Sequence, residues 1–146
     1  DPAYAARLKA DATAAARELG YTGRQGEHLI AVFNDAETHH MVVCTLCSCY
    51  PRSILGSAPA WYVGKAYRAR AVREPRLVLA EFGTIVPDDV VVRVHDSTAN
   101  MRYMVLPRRP AGTGGWSEAR LRRLVTRDSM IGVSHALDPH AVEGGP

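Results

Sequence analysis

The sequence is short of lysine and aromatic residues, has no long apolar run, and keeps its cysteines in one place. No stretch approaches the roughly 20 apolar residues that a membrane-crossing helix needs. The first residues lack the basic start and apolar centre of a secretory leader, so the expected location is cytoplasmic. The only lysines are Lys9 and Lys65; arginine supplies the other positive charges, and the net charge is +3. Nucleic-acid binding needs clustered positive charge, whereas arginine is scattered here. Its densest groups, Arg68-Arg70-Arg73-Arg76 and Arg120-Arg122-Arg123, lie in expected helices beside Glu74, Glu81 and Glu118. These groups read as solvated or subunit-facing surfaces. The three cysteines all fall between positions 44 and 49, an odd and crowded set that is no disulfide framework. Such thiols persist in reducing compartments, where they bind metal or do redox work.

What is present is an ordinary globular composition, 47% hydrophobic and 23% charged over 146 residues, enough for one compact domain. Residues 1–133 are expected to form that domain, with a flexible tail over 134–146. Asp1-Pro2 reads as a cap and first turn of a helix that runs on Tyr4, Leu8, Ala12, Ala15 and Leu19 to Gly20. His28 to Phe33 and Met41 to Val43 read as strands, the second running into the cysteines. Ile54-Leu55 suggests a helical turn, Trp61 to Val72 a helix weakened by Gly64, and Pro75 the start of another that stops at Gly83. Val90 to His95 alternates as a strand, and Arg102 to Leu106 reads as its returning partner. Ser117 is a good cap for a helix to about Val125, and Met130 to Val133 reads as a short strand. The order predicts an α+β fold with antiparallel strand pairs covered by helices.

Cys44-Thr45-Leu46-Cys47-Ser48-Cys49 carries the chemistry. Cys44 and Cys47 can converge across a turn. Cys49 joins them only if the backbone between Cys47 and Cys49 curls inward, which aims the backbone nitrogens of Ser48 and Cys49 at the same centre. Three thiolates and two amide nitrogens would leave one position open. Nitrogen ligation requires loss of the amide proton, which suits trivalent cobalt or iron better than zinc. Two other readings stand beside this claw. One is a structural zinc site completed by His39 or His40, although zinc sites usually draw on a second, distant cluster. The other is a redox pair of Cys44 and Cys47, although such pairs normally open a helix.

The segment Val43-Cys44-Thr45-Leu46-Cys47-Ser48-Cys49-Tyr50-Pro51 resembles the metal motif of nitrile hydratase alpha subunits. The likeness extends over nearly the whole chain. It includes Gln25-Gly26-Glu27-His28, Trp61-Tyr62, Tyr67-Arg68, Val72-Arg73-Glu74-Pro75-Arg76, Asp96-Ser97-Thr98, Arg102-Tyr103 and Thr126-Arg127-Asp128-Ser129-Met130-Ile131-Gly132-Val133. The resemblance implies a layered α-β-β-α sandwich. It also implies one Co(III) per chain on the sulfurs of Cys44, Cys47 and Cys49 and the backbone nitrogens of Ser48 and Cys49. Thr45 marks the cobalt type; serine there marks the iron type. Cys47 is expected as sulfinate and Cys49 as sulfenate.

The implied reaction is hydration of a nitrile to an amide. The metal or the Cys49 sulfenate would activate the reactants, and Cys49, Cys47, Ser48 and Gln25 would be the site residues. Implied partners are a beta subunit or split beta-like subunits and a cobalt-delivery activator protein, with neither nucleic acid nor membrane. Family alpha chains also carry a longer N-terminal arm that embraces the beta subunit; this sequence begins at Asp1. Three positions depart from the pattern: Arg52 and His95 stand where tryptophan is common, and Asn100 where glutamate is. A changed pocket and a larger or more polar substrate are the expectation. Thiocyanate hydrolase and toyocamycin nitrile hydratase are related enzymes with split beta-like subunits. Thiocyanate hydrolysis and a non-enzymatic metal or redox module are the alternative functions.

Overall fold

The computed structural model describes residues 1–142. Helices α1 (Pro2–Ala10) and α2 (Ala12–Glu18) come first, then strands β1 (His28–Phe33) and β2 (Thr38–Val43). Four short helices follow: α3 (Arg52–Leu55), α4 (Ala60–Val63), α5 (Lys65–Arg73) and α6 (Pro75–Glu81). Strands β3 (Val91–Asp96) and β4 (Met101–Leu106) precede α7 (Glu118–Arg122), α8 (Arg127–Ile131) and α9 (Pro139–Val142).

The expected first helix is two. Asp11 is extended (φ −152°), donates its N–H to Arg7 O and caps α2 by accepting from Ala14 N. Gly64 likewise divides the expected 61–72 helix into α4 and α5. Met130 to Val133 is not a strand. Thr126 and Ser129 form a reciprocal cap that starts α8, and Gly132 ends it in the left-handed region at φ 86°. A Cβ on Gly132 would lie 2.0 Å from His40 O, so this glycine also permits a close approach to β2.

The strand pairing departs most from expectation. β1 pairs with β4 and β2 with β3, both in parallel, with His28 opposite Met101 and Thr38 opposite Val91. Neither short turn makes a hairpin. Each one carries the chain from one two-stranded sheet into the other. Parallel pairs need long crossovers, and residues 44–90, with α3 to α6, supply the one between β2 and β3. Met41, Val42 and Val43 are all buried in succession, as in a strand covered on both faces.

The larger core gathers Met41, Val43, Tyr50, Tyr62, Tyr67, Leu79, Val105 and Ile131. A second core sets Leu8, Ala12 and Ala15 against Met104 of β4. Arginines of the central helices are engaged: Arg70 pairs with Glu74 and Glu81, each at 2.7 Å, and Arg76 donates to the carbonyls of Val86, Pro87 and Val90. Within the stretch read as a tail, His135 Nε2 donates to Ile85 O at 3.2 Å, and Leu137 N to Leu124 O at 2.8 Å. The rest of that expectation, residues 143–146, lies outside the described residues. Among the described residues, no helix is long and apolar enough to cross a membrane.

Candidate metal centre

The cysteine loop leaves β2 directly after Val43 and ends where α3 begins. Its three sulfurs lie within 4.8 Å of one another, with Cys44 Sγ 3.7 Å and Cys49 Sγ 3.4 Å from Cys47 Sγ. Cys44 and Cys49 are buried and Cys47 is exposed. One side of the cluster therefore rests on the core and the other opens outward. Cys47 N donates to Cys44 Sγ at 3.3 Å. Hydrogen bonds from Cys49, from the backbone N–H of Ser48 and from Cys44 hold the Cys47 thiol below its ordinary pKa; the Cys49 N–H adds to this. Burial, then the bond to Cys47, pushes Cys49 up to about 12. Of these two thiols, Cys47 gives up its proton the more readily.

Among the described residues, no histidine joins the cluster. His39, one candidate for a fourth zinc ligand, is buried along β2 with Nε2 donating to Gly132 O at 2.7 Å and Nδ1 accepting from Asn34 Nδ2. His40 Nδ1 lies 2.8 Å from His95 Nε2, and the His95 ring stacks on Tyr103. The loop also opens no redox-type helix: bends, not a helical turn, join Cys44 to Cys47.

The loop backbone is held by side chains from four other elements. Tyr62 Oη of α4 donates to Cys49 O at 2.6 Å. Arg68 of α5 donates to Cys44 O at 3.2 Å and Thr45 O at 3.0 Å. Asp96, at the end of β3, accepts from Thr45 N at 2.9 Å and Thr45 Oγ1 at 2.6 Å. Arg102 of β4 donates to Tyr50 O at 2.8 Å and pairs with Glu27 at 3.1 Å. These donors hold the carbonyls of Cys44, Thr45 and Cys49 in place while the three sulfurs face one another.

A cavity of about 600 Å³ opens beside the loop, lined by Ser48 and Cys49 with Arg24, Glu27, Arg52 and Arg102. Gln25 lines a neighbouring cavity of about 260 Å³. The two share walls at Arg24, Glu27, Ser53 and Arg102, but Gln25 does not line the one that reaches Cys49. Ser48 and Cys49 are thus brought together with the cavity, and Gln25 stands one compartment away. Sequence reasoning assigned no role to Tyr62 or Asp96, and it read Arg68 as part of a solvated or subunit-facing surface, whereas Arg68 is spent on the loop carbonyls. Their presence in the motifs that carry the family resemblance was the available signal.

A family model described as nitrile hydratase, alpha chain, matches residues 1–134. The chain is 59% identical over 143 residues to the high-molecular weight cobalt-containing nitrile hydratase subunit alpha of Rhodococcus rhodochrous, covering 97% of this chain and 70% of that one. It is 56% identical over 106 residues to thiocyanate hydrolase subunit gamma of Thiobacillus thioparus, covering 72% of this chain and 44% of that one. Among solved structures, a double mutant of the Fe-type nitrile hydratase from Comamonas testosteroni Ni1 superposes with a TM-score of 0.92 at 44% identity. That match spans 100% of this chain and 71% of the other.

Proposed function

The chain belongs to the nitrile hydratase alpha-chain family, and from that premise we propose that it is the metal-binding catalytic subunit of a cobalt nitrile hydratase, adding water to a nitrile to give an amide. The observation that carries the reading is the convergence of three cysteine sulfurs within 4.8 Å, on a fixed backbone beside an open cavity. The donor set fits a thiophilic trivalent ion. Cys44, Cys47 and Cys49 would hold it through sulfur, and Ser48 and Cys49 through deprotonated backbone nitrogens. Such ligation needs the backbone between Cys47 and Cys49 to curl inward, which the 3.4 Å approach of the Cys47 and Cys49 sulfurs supports. Thr45 favours cobalt over iron, one ion per chain. Bound there, cobalt supplies Lewis acidity toward the nitrile.

The chain's own residues set the geometry. Asp96, Arg68 and Tyr62 keep the loop from relaxing. Cys49 lines the cavity; as a sulfenate it would present an oxygen there that could accept the proton water gives up as the water oxygen bonds to the nitrile carbon. Cys47, the exposed sulfur, is the sulfinate position. Gln25 orders the approach from the neighbouring compartment.

Partner subunits complete the reading. Leu46, at the loop tip, is 81% exposed, an apolar side chain suited to being covered by a beta or beta-like subunit. An activator protein delivers the cobalt, and the free thiols suit the cytoplasm. The fold is the α-β-β-α sandwich, with α1 and α2 on the β1–β4 side and α5 and α6 on the β2–β3 side, built as one domain over 1–133. Thiocyanate hydrolysis is the second reading, favoured by the 56% identity to a thiocyanate hydrolase subunit.

The test is metal analysis with intact mass on the chain made in cobalt medium with its partner. One cobalt per chain and a gain of roughly three oxygens over Cys47 and Cys49 are expected. Stoichiometric zinc on unmodified thiols overturns the reading.

A further inference from the structure

The cavity beside Cys49 is strongly one-signed. Three arginines line it, Arg24, Arg52 and Arg102, against one carboxylate, Glu27. Arg102 and Glu27 neutralise each other at 3.1 Å, with side chains only 15% and 19% exposed, and Arg102 spends further donors on Tyr50 O and Ala99 O. Arg24 and Arg52 are exposed. Neither guanidinium has a hydrogen bond or ion pair among the described residues. Arg52 begins α3 just after the loop, and Arg24 lies in the segment before β1, so the two come from separate parts of the chain to one space. Arg17 adds further positive charge to the adjoining cavity.

A guanidinium presents paired donors that match the two oxygens of a carboxylate. With about 600 Å³ available, a nitrile with a charged substituent fits in both size and sign. We propose that the substrate is an anionic C≡N compound, a nitrile bearing a carboxylate, and that Arg52 and Arg24 are the specificity-determining residues that hold its charge. This inference rests on the nitrile-hydrating reading and narrows its substrate class. The competing account of the two arginines is that they only offset the negative charge of the cysteine loop. In that case they act on charged and neutral substrates alike.

The experiment compares 3-cyanopropanoate with 3-cyanopropanamide, and both with thiocyanate, on the cobalt-loaded complex of this chain with its partner. The comparison is run at low and high salt, in wild type and in Arg52→Gln and Arg24→Gln. The carboxylate should have the higher kcat/KM at low salt, with the advantage shrinking as salt screens the attraction. In Arg52→Gln the carboxylate-to-amide ratio of kcat/KM should fall at least about tenfold, the loss expected for one charge-assisted hydrogen bond. Arg24→Gln should lower it in the same direction. Turnover of thiocyanate but not of the cyano acid, with the same salt and arginine dependence, keeps the anion site and assigns it the inorganic anion. Equal treatment of acid and amide at both salt concentrations, or a ratio that neither variant moves, overturns the proposal. Calorimetric binding of the product-like anion succinamate separates the two levels. If no nitrile and no thiocyanate is turned over, the hydratase reading fails. Succinamate binding weakened in Arg52→Gln then still supports the anion site, and unweakened binding overturns it.

Discussion

The two parallel sheets of this chain have six-residue strands of equal length and the same kind of register, yet they are built for different tasks. At the exit of β2–β3, polar side chains capture backbone groups: Tyr67 holds Val42 O, Arg68 holds Cys44 O and Thr45 O, and Asp96 holds Thr45. β1–β4 is covered mainly by apolar contacts, Leu8 of α1 and the small Ala12 and Ala15 of α2 lying in its core, with Thr13 accepting from Leu29 N at 2.8 Å. Satisfied polar networks specify one backbone geometry; small apolar contacts specify proximity and tolerate adjustment. The site sits where the first kind of construction is used.

That contrast can be broken or sharpened by mutation. The largest effect is expected for Gly132→Ala, at the close approach of α8 to β2. A Cβ there meets His40 O at 2.0 Å, and φ is 86°, so a loss of about 3 kcal/mol or more is expected. Urea denaturation measures it, and a variant as stable as wild type would show that β2 is not held rigidly. Tyr62→Phe comes next. It strips the donor from the buried Cys49 O, costing about 2 kcal/mol and speeding cobalt loss to a chelator. Unchanged metal retention would mean that the loop keeps its shape without its anchors.

Acid should weaken the β2–β3 side by a smaller, graded amount. Burial lowers the pKa of His39, His40 and His95 below the ordinary 6.5, so the unfolded chain takes up protons that the folded one refuses. Stability is then full above about 6.5 and falls as the pH drops below it toward the lowered values. Around His40 and His95 the neighbouring charges are Asp35 and Arg93. His95→Gln should flatten part of the slope in thermal melts between pH 7 and 5; an identical slope would remove His95 from the account. The smallest effect is expected in the other sheet. Thr13→Val loses the bond to Leu29 N and should cost about 1 kcal/mol with full cobalt content. Cobalt loss there would erase the distinction between the sheets.

The sulfur cluster was legible because its members are neighbours in sequence: Cys44, Cys47 and Cys49 announce themselves by spacing. β1, α6 and the Ser117 cap were legible for the same local reason. The anchors were not, because Tyr62 lies 13 residues from Cys49, Arg68 lies 24 from Cys44 and Asp96 lies 51 from Thr45. The parallel pairing was hidden for a related reason. Asn34-Asp35 and the stretch Asp96 to Asn100 read as turns, and nothing local distinguishes a chain that folds back from one that changes sheets. α8 was misread because the apolar run Met130 to Val133 outweighed the Thr126 and Ser129 cap that decides it.

The strand register has a consequence for the order of assembly. β2 pairs with a strand that begins at Val91, β1 with one that begins at Met101, and His40 receives Gly132 at its back. During synthesis the cysteines therefore emerge long before the residues that fix their geometry, and contacts so distant in sequence form late. The nascent chain carries three loose thiols; the finished one carries a shaped trap. A metal ion offered early would meet only the loose thiols; the shaped cluster exists once both sheets have closed and Gly132 has reached His40.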